Sequence, residues 1–415
     1  MEAVYQQWMA EVPGTFPGAT VSGEATPVLR TPYSPPPPDT VSRGGSSPEK
    51  LKFYVDPLAG LRSLGRHFTE EASMRKHFRP VLWLLAFSSL GICATPPEEQ
   101  DKHSVDRSSA TIPEPLHGVT VADGRDRDIR TTTYLHEVLK SLANLTSTPT
   151  VRIVYRLEGS DTNRGAKART YRSATQAISK KGYIMAEVLD SAYEFCFDVA
   201  DHAARWNDYV STLGDYVDIW EVGNEINGNW LSNSDPIAIK GQRCPWKVPN
   251  TTDQDVVTKM INAYHIVKKA GKKAALTLYY EPNPACTKAM GPEYDPITWA
   301  TRNVPDEMKA GLDYVLLSNY RDKCPNFRPD FNALFTQIHK IFPKAKLGMG
   351  EWGYSHGRPN KADLTELLNY GYSIHPDIPN WVGGVFFWEW GRDAVPCDPK
   401  PGSIWNVINT DLSKQ

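Results

Sequence analysis

The sequence lacks several features that would point to common functional classes. It has six cysteines in 415 residues and no Cys-x-x-Cys pair, so a zinc site is not expected. No glycine-rich nucleotide loop follows the first apolar run, which argues against a dinucleotide-binding fold. The formal net charge is only −2, and we therefore expect neither nucleic acid nor an anionic membrane as a partner.

The N-terminal part also lacks an apolar run long enough to span a membrane. The run from Val81 to Ile92 is shorter than the roughly 20 residues of a spanning helix, so no stable membrane span is expected. Met74 and three basic residues precede this run, and small residues follow it near Ala94. This arrangement is typical of a secretory signal peptide, which predicts a secreted or periplasmic protein.

The segment before Met74 shows no helical or strand period. It contains four consecutive prolines at 35–38 and scattered glycine and serine. We predict that residues 1–73 are a disordered extension or lie upstream of the true start, that 74–94 are the signal peptide, and that 95–114 form a linker. The mature chain would then begin near Thr95.

From residue 115 onward, short apolar runs alternate with amphipathic helical patterns. The eight runs are 117–123, 151–159, 183–190, 217–225, 274–281, 312–320, 345–353 and 381–390. Eight β/α units predict an α/β fold, a parallel eightfold (β/α) TIM barrel over residues 115–415. An open doubly wound sheet is the structural alternative. A helix among these patterns is expected to stop at Ala270-Gly271.

The barrel topology suggests how the five cysteines of the mature chain pair. Disulfides are permitted in an oxidising compartment, and we predict the pairs Cys244–Cys286 and Cys324–Cys397 because their loops would be near neighbours. Cys196, within the run YEFCFDVA, is predicted to be buried and free.

Polar residues at the strand ends are the candidates for function, since active sites of such barrels lie there. Seven carboxylates end the predicted strands: Glu158, Asp190, Glu225, Glu281, Asp322, Glu351 and Glu389. Glu225 and Glu351 stand apart because each follows a glycine that ends an apolar run, in GNE and GMGE. Two carboxylates at a barrel mouth suit retaining glycoside hydrolysis, in which one is acid/base and the other is the nucleophile.

The Asn-Glu pair ending the fourth strand and the glutamate ending the seventh resemble the signature of clan A, the large clan of barrel-fold retaining glycoside hydrolases. The resemblance covers residues 110–415 and implies that Glu225 is the acid/base, Glu351 the nucleophile and Asn224 a ligand of a sugar hydroxyl. It also implies that Tyr320 hydrogen-bonds the nucleophile and that Arg156 lies beside it. Ser318 departs from the clan, many members of which have histidine there.

Aromatic residues near these positions are candidates for a sugar-binding surface. Trp388 resembles the sugar-platform tryptophan of the clan, and strand alternation would place Trp390 on the same face. The remaining candidates are Trp352, Tyr280 and Trp230, although Trp230 belongs equally well to a loop core. Glu389 would then point away and form a structural salt bridge.

The resulting prediction is a retaining hydrolase, a monomer without a cofactor, which cleaves O-glycosidic bonds, of β configuration, in a poly- or oligosaccharide. The alternative is a non-catalytic carbohydrate-binding barrel, although a binding protein has no need for a paired acid and nucleophile. A lyase or aldolase would need a strand-end lysine or a metal cluster, and neither is found in the sequence. The sugar and its linkage stay open.

Overall fold

The computed structural model describes residues 105, 111–124, 126–157, 165–232, 244, 249–280, 290–321, 328–354 and 359–415. The predicted extension, the signal peptide and most of the linker lie outside these residues, as do the carboxylates Glu158, Glu281 and Asp322. None of the helices in the described ranges is both long and apolar enough to cross a bilayer.

Eight parallel strands form a closed barrel in which each strand pairs with the next and the last pairs with the first. The strands are β1 (Leu116–Ala122), β2 (Thr150–Val154), β3 (Tyr183–Glu187), β4 (Ile219–Gly223), β5 (Lys273–Tyr279), β6 (Tyr314–Tyr320), β7 (Lys346–Gly353) and β8 (Gly383–Trp388). Each predicted apolar run overlaps one strand, so the predicted (β/α)8 TIM barrel is confirmed.

Helices follow the strands and cover the outside of the barrel. They are α1 (Thr132–Ala143), α2 (Arg172–Ser179), α3 (Val199–Leu213), α4 (Asp253–Lys269), α5 (Pro296–Asn303), α6 (Asp306–Gly311), α7 (Phe331–Ile341), α8 (Lys361–Tyr372), α9 (Trp390–Asp393) and α10 (Ile404–Leu412). The long helix α4 shows why the boundaries fall where they do. Thr252 and Asp255 form a capping box at its start, and Gly271, with φ of +69°, follows its end as predicted.

Alternation along the strands separates an apolar from a polar layer inside the barrel. The apolar interior cluster consists of Ile112, Leu116, Met185, Ile219, Ala275, Tyr314, Leu316, Val382 and Phe386. Polar side chains come two residues later on the same strands, at Glu187, Glu221 and Thr277. A separate and larger core packs the outward-facing residues against the helices. The charged side chains of the barrel interior therefore lie near the end at which the strands terminate.

The disulfide pattern differs from the prediction. Cys196 is bonded to Cys244, with the two Cα atoms 5.6 Å apart, so the predictions of a free Cys196 and of a Cys244–Cys286 bond are both wrong. Cys196 ends a 3₁₀ turn, Ser191–Cys196, that follows β3, which brings it out of the strand and within reach of the β4–α4 loop. Cys397 is also disulfide-bonded, and its predicted partner Cys324 lies outside the described residues.

A register shift in β7 directs Glu351 into the barrel. Leu317 of β6 pairs with Met349, but the next residue, Ser318, pairs with Glu351, so Gly350 is an extra residue. A Cβ atom on Gly350 would lie 2.8 Å from Cγ2 of Thr277 and 2.9 Å from Cβ of Leu316. Both Gly350 and Glu351 therefore face the interior, as expected of a bulge that changes the direction of a side chain.

We predict that Gly350→Ala destabilises the barrel by roughly 1–3 kcal/mol, because the added methyl group overpacks the interior. Denaturant unfolding of the purified variant measures the change. Gly124→Ala is the matched control, since a Cβ atom at Gly124 meets nothing within 4 Å, and it should stay within about 0.5 kcal/mol of wild type. Equal stability of the two variants would contradict an inward-facing bulge.

Candidate active site

Glu225 lies two residues beyond β4 in a backbone conformation that few residues adopt. Its φ is +46°, in the left-handed region, and its carboxyl group is almost fully buried. The amide N–H of Ile226 donates to the carbonyl of Thr277 on β5, which fixes the turn from the neighbouring strand. Oε2 of Glu225 accepts a hydrogen bond of 2.9 Å from the hydroxyl of Ser191. Such backbone conformations are typical of functional sites.

Asn224 connects the neighbourhoods of the two predicted catalytic glutamates. Its Oδ1 accepts a hydrogen bond of 2.9 Å from the backbone N–H of Ser191, which also contacts Glu225. Its Nδ2 donates to Oε1 of Glu351 at 2.9 Å and to Oε1 of Glu221 at 3.3 Å. One buried amide therefore orients groups on β4, on β7 and after β3 at the same time.

Glu351 is held from two other strands and from the residue that follows β4. Tyr320, which ends β6, donates its hydroxyl to Oε2 of Glu351. Asn224 and the guanidinium of Arg152 both contact Oε1, the latter at 2.7 Å from Nη2. The contact that the clan resemblance implied for Tyr320 is present. These contacts hold both oxygens of the Glu351 side chain in fixed positions.

The arginine beside Glu351 is Arg152, whereas the resemblance had pointed to Arg156. Arg152 lies within β2, between the outward-facing Val151 and Ile153, and is fully buried. Arg156 follows the end of β2 at Val154 and lies 3.7 Å from the carboxylate of Asp128. Strand alternation alone would place Arg152 and Arg156 on the same face, but only Arg152 lies inside the barrel. A charged residue between two apolar strand residues was the available signal.

Two further glutamates surround Arg152 and were missed by the sequence analysis, which considered only strand-end positions. Glu221 of β4 accepts hydrogen bonds from Nε at 2.7 Å and from Nη2 at 3.1 Å. Glu187, the last residue of β3, has Oε2 at 2.6 Å from Nη2. Like Arg152, each lies in the interior of the barrel beside outward-facing apolar neighbours. Arg152, Glu187, Glu221 and Glu351 are called the arginine cluster below.

Trp388 and Trp390 do not share a face, contrary to the prediction. Strand β8 ends at Trp388 and helix α9 begins at Trp390, so strand alternation does not extend across Glu389. Trp390 is completely buried in the outer core, whereas Trp388 is partly exposed and its ring centroid lies 6.0 Å from the guanidinium of Arg152. Glu389 forms an ion pair of 3.0 Å with Arg127, as expected.

Trp352 does not line the mouth, contrary to the prediction. It is fully buried outside the barrel, where its indole N–H donates to the carbonyl of Leu367 in α8 at 2.8 Å. The physical reason is strand alternation: the residue after an inward-facing Glu351 faces outward.

The other predicted aromatic residues lie beyond the ends of β4 and β5. Trp230 is partly exposed and packs edge-to-face on Tyr279 at 5.1 Å between ring centroids. Tyr280 is also partly exposed, and its ring centroid lies 6.5 Å from that of Phe331. Asn227 is fully buried and bonded to the backbone of Tyr279 at both ends of its amide, so its role is structural.

Two aspartates near the strand ends, the buried Asp123 and the half-buried Asp190, have raised pKa values. Burial raises the pKa of Asp123, which follows β1, to about 6, although hydrogen bonds from Tyr171 and the amide of Ile129 oppose this. Burial also raises the pKa of Asp190 to about 6, although the hydrogen bond from the amide of Ala192 opposes this rise.

Among the described residues, no group of three or more His, Cys, Asp or Glu side chains is arranged to hold a metal ion.

Several solved structures are similar to parts of this chain. Saccharomyces cerevisiae Gas2p, solved with laminaritriose and laminaritetraose, is 11% identical with a TM-score of 0.44, over 74% of this chain and 66% of that chain. The rice β-glucosidase Os3BGlu6 is 13% identical with a TM-score of 0.44, over 72% and 98%. A family 1 β-glucosidase from Thermotoga maritima is 10% identical with a TM-score of 0.41, over 68% and 89%. With TM-scores below 0.5, these similarities carry no conclusion about the fold or the function of this chain.

No protein-family model matches the chain, and no curated protein matches it in sequence.

The raised pKa of Asp123 predicts a loss of stability as the pH rises. The folded state holds this proton up to about pH 6, whereas an unfolded aspartate releases it near 3.8. Between these values the folded state binds more protons, so raising the pH through this window should cost up to about 3 kcal/mol. The unfolding free energy is measured by urea unfolding from pH 4 to 7. In Asp123→Asn we expect its decrease with rising pH to lack the part that Asp123 contributes.

Asp126→Asn is the matched control for this measurement, because Asp126 is exposed and lies on the same loop. It should keep the wild-type dependence of the unfolding free energy on pH. A wild-type slope in Asp123→Asn would show that Asp123 is ionised throughout this range in the folded protein.

Proposed function

We propose that this protein is a retaining glycoside hydrolase, with Glu225 as acid/base and Glu351 as nucleophile. The observation that carries the proposal is the bridge through Asn224. This residue contacts Glu351 directly and Glu225 through Ser191, so the two carboxyl groups are fixed relative to each other at the end of one barrel. Double displacement needs such a fixed pair on opposite sides of the scissile bond.

The surroundings of the two carboxyl groups support different roles. Glu351 contacts a guanidinium, an amide and a phenol, which together stabilise a carboxylate able to attack a sugar carbon. Glu225 accepts a hydrogen bond from the neutral hydroxyl of Ser191, and the residue is only 8% exposed. In such a buried position a protonated carboxyl group costs less free energy than a charged one. Acid and nucleophile have to be kept in opposite protonation states before the reaction.

The first step under this proposal forms a covalent glycosyl-enzyme. A carboxylate oxygen of Glu351 attacks the anomeric carbon while the bond to the leaving oxygen breaks, and Glu225 transfers its proton to that oxygen. In the second step Glu225, now a carboxylate, takes a proton from water, and the water oxygen replaces Glu351 at the anomeric carbon. Asn224 is placed to bond a hydroxyl next to the reacting carbon, a contact that gains strength in the transition state.

Aromatic surfaces around the site support a poly- or oligosaccharide substrate. Trp388 lies over the arginine cluster, which supports its role as the platform for the sugar at the reacting position. Tyr280 and Trp230 lie past the neighbouring strands and would contact further sugar units. The disulfide Cys196–Cys244 supports the proposed secreted or periplasmic location, because disulfides persist in oxidising compartments.

The test is a comparison of the wild-type protein with Glu225→Ala and Glu351→Ala on aryl β-glycosides and soluble polysaccharides. Both variants should lose roughly 10³-fold or more in kcat on substrates with a poor leaving group. Azide should restore activity on activated aryl glycosides. The product should be a β-glycosyl azide with Glu225→Ala and an α-glycosyl azide with Glu351→Ala, because azide takes the place of the missing group in each case.

Glu307→Ala is the matched control, since Glu307 is an exposed glutamate on α6, and it should retain wild-type activity. Full activity in either active-site variant would refute the assigned roles. Saccharide binding by wild type without turnover of any substrate would instead support the non-catalytic carbohydrate-binding barrel.

A further inference from the structure

In the arginine cluster, the carboxylate oxygens close to Nη2 of Arg152 outnumber the N–H groups of that nitrogen. Nη2 lies 3.1 Å from Oε1 of Glu221, 2.6 Å from Oε2 of Glu187 and 2.7 Å from Oε1 of Glu351. This nitrogen has two N–H groups, and one of them is bonded to Glu221. Glu187 and Glu351 therefore compete for the second.

The two competing carboxyl groups are not equivalent. Glu351 also receives the hydroxyl of Tyr320 and the amide of Asn224. Glu221 likewise receives the hydroxyl of Thr277 and Asn224 in addition to two N–H groups of Arg152. Among the described residues no side-chain donor besides Arg152 reaches Glu187, and its Oε2 is buried without a hydrogen bond.

Charge counting leads to the same residue. With all three glutamates ionised, a completely buried cluster with one guanidinium would carry a net charge of −2. Two carboxylate oxygens that share one N–H repel each other, and a proton on one of them removes the repulsion. Glu221 and Glu351 have the donors that stabilise a negative charge, which leaves Glu187 to carry the proton.

We propose that Glu187 is protonated in the free enzyme and acts as a positioning residue, leaving the second N–H of Arg152 Nη2 to Glu351. This role rests on the proposed function of Glu351 as nucleophile. The proton stays on Glu187 during the reaction, and no bond to the substrate forms there. If Glu187 lost its proton, its carboxylate would draw Nη2 away from Glu351 and lower the rate of glycosylation.

The electrostatics of the site agree with this geometry. Burial raises the pKa of Glu187 well above its ordinary range, and Arg152 opposes the rise. The negative charges facing Glu187 from the other elements come from Glu221 on β4, Glu351 on β7 and Asp190 after β3, and all of them raise its pKa further.

The kinetic test compares wild type with Glu187→Gln and Glu187→Ala on a dinitrophenyl β-glycoside, whose leaving group needs no proton from Glu225. Glutamine has the shape of a protonated glutamate and cannot ionise. We expect Glu187→Gln to exceed Glu187→Ala at least tenfold in kcat/KM, and to move the alkaline limb of the kcat/KM profile upward by roughly one pH unit or more. Circular dichroism and thermal unfolding check the folding of both variants.

Two kinetic outcomes would overturn the proposal. If Glu187→Gln is no more active than Glu187→Ala, the cluster requires a charged Glu187. If Glu187→Gln is active with an unchanged alkaline limb, the protonation of Glu187 does not control Glu351.

A spectroscopic test does not depend on activity and therefore separates this proposal from the proposed function. The infrared difference spectrum between wild type and Glu187→Gln at neutral pH should show the C=O stretch of a protonated carboxylic acid, which the variant lacks. Carboxylate bands in its place would overturn the proposal even if the protein proves to be a glycosidase. Presence of the acid band in a protein without glycosidase activity would support protonated Glu187 and refute only its catalytic setting.

Discussion

The buried guanidinium of Arg152 is the interaction on which the site depends. It joins β2 to β3, β4 and β7 through Glu187, Glu221 and Glu351, in a place where water does not compensate the charges. Removing one partner from such a cluster leaves a buried charge unpaired, and the cost in comparable cases is about 3–5 kcal/mol. The same constraint fixes the orientation of Glu351, so stability and proposed catalysis share one set of contacts.

Local departures from regular strand geometry place the two proposed catalytic groups. The extra residue Gly350 turns Glu351 toward Arg152, and the left-handed backbone at Glu225 brings its carboxyl group to Ser191 after β4 has ended. Ser191 begins the 3₁₀ turn that the Cys196–Cys244 disulfide ties to the β4–α4 loop. The side of the site that carries Glu225 is therefore supported by a covalent link, and the side that carries Glu351 by the arginine cluster.

The eightfold barrel could be predicted from the sequence because alternation of apolar runs and helical patterns is a local signal repeated along the chain. Glu225, Glu351 and Tyr320 could be placed because strand ends are visible as breaks in apolar runs. Strand ends alone did not identify Arg152 in place of Arg156, because that choice depends on where β2 ends. They also did not predict that Trp352 faces outward, because its direction depends on the bulge at Gly350. The Cys196–Cys244 pair depends on a 3₁₀ turn that carries no periodic pattern.

The proposed mechanism requires that Glu351 forms a covalent bond to the sugar. The most direct measurement is inactivation by a panel of 2-deoxy-2-fluoro aryl β-glycosides with good leaving groups, followed by mass spectrometry of the intact protein and of its peptides. We expect one added glycosyl group, on the peptide that contains Glu351. A label on Glu225 or Glu187, or turnover of the panel without any labelled protein, would contradict it.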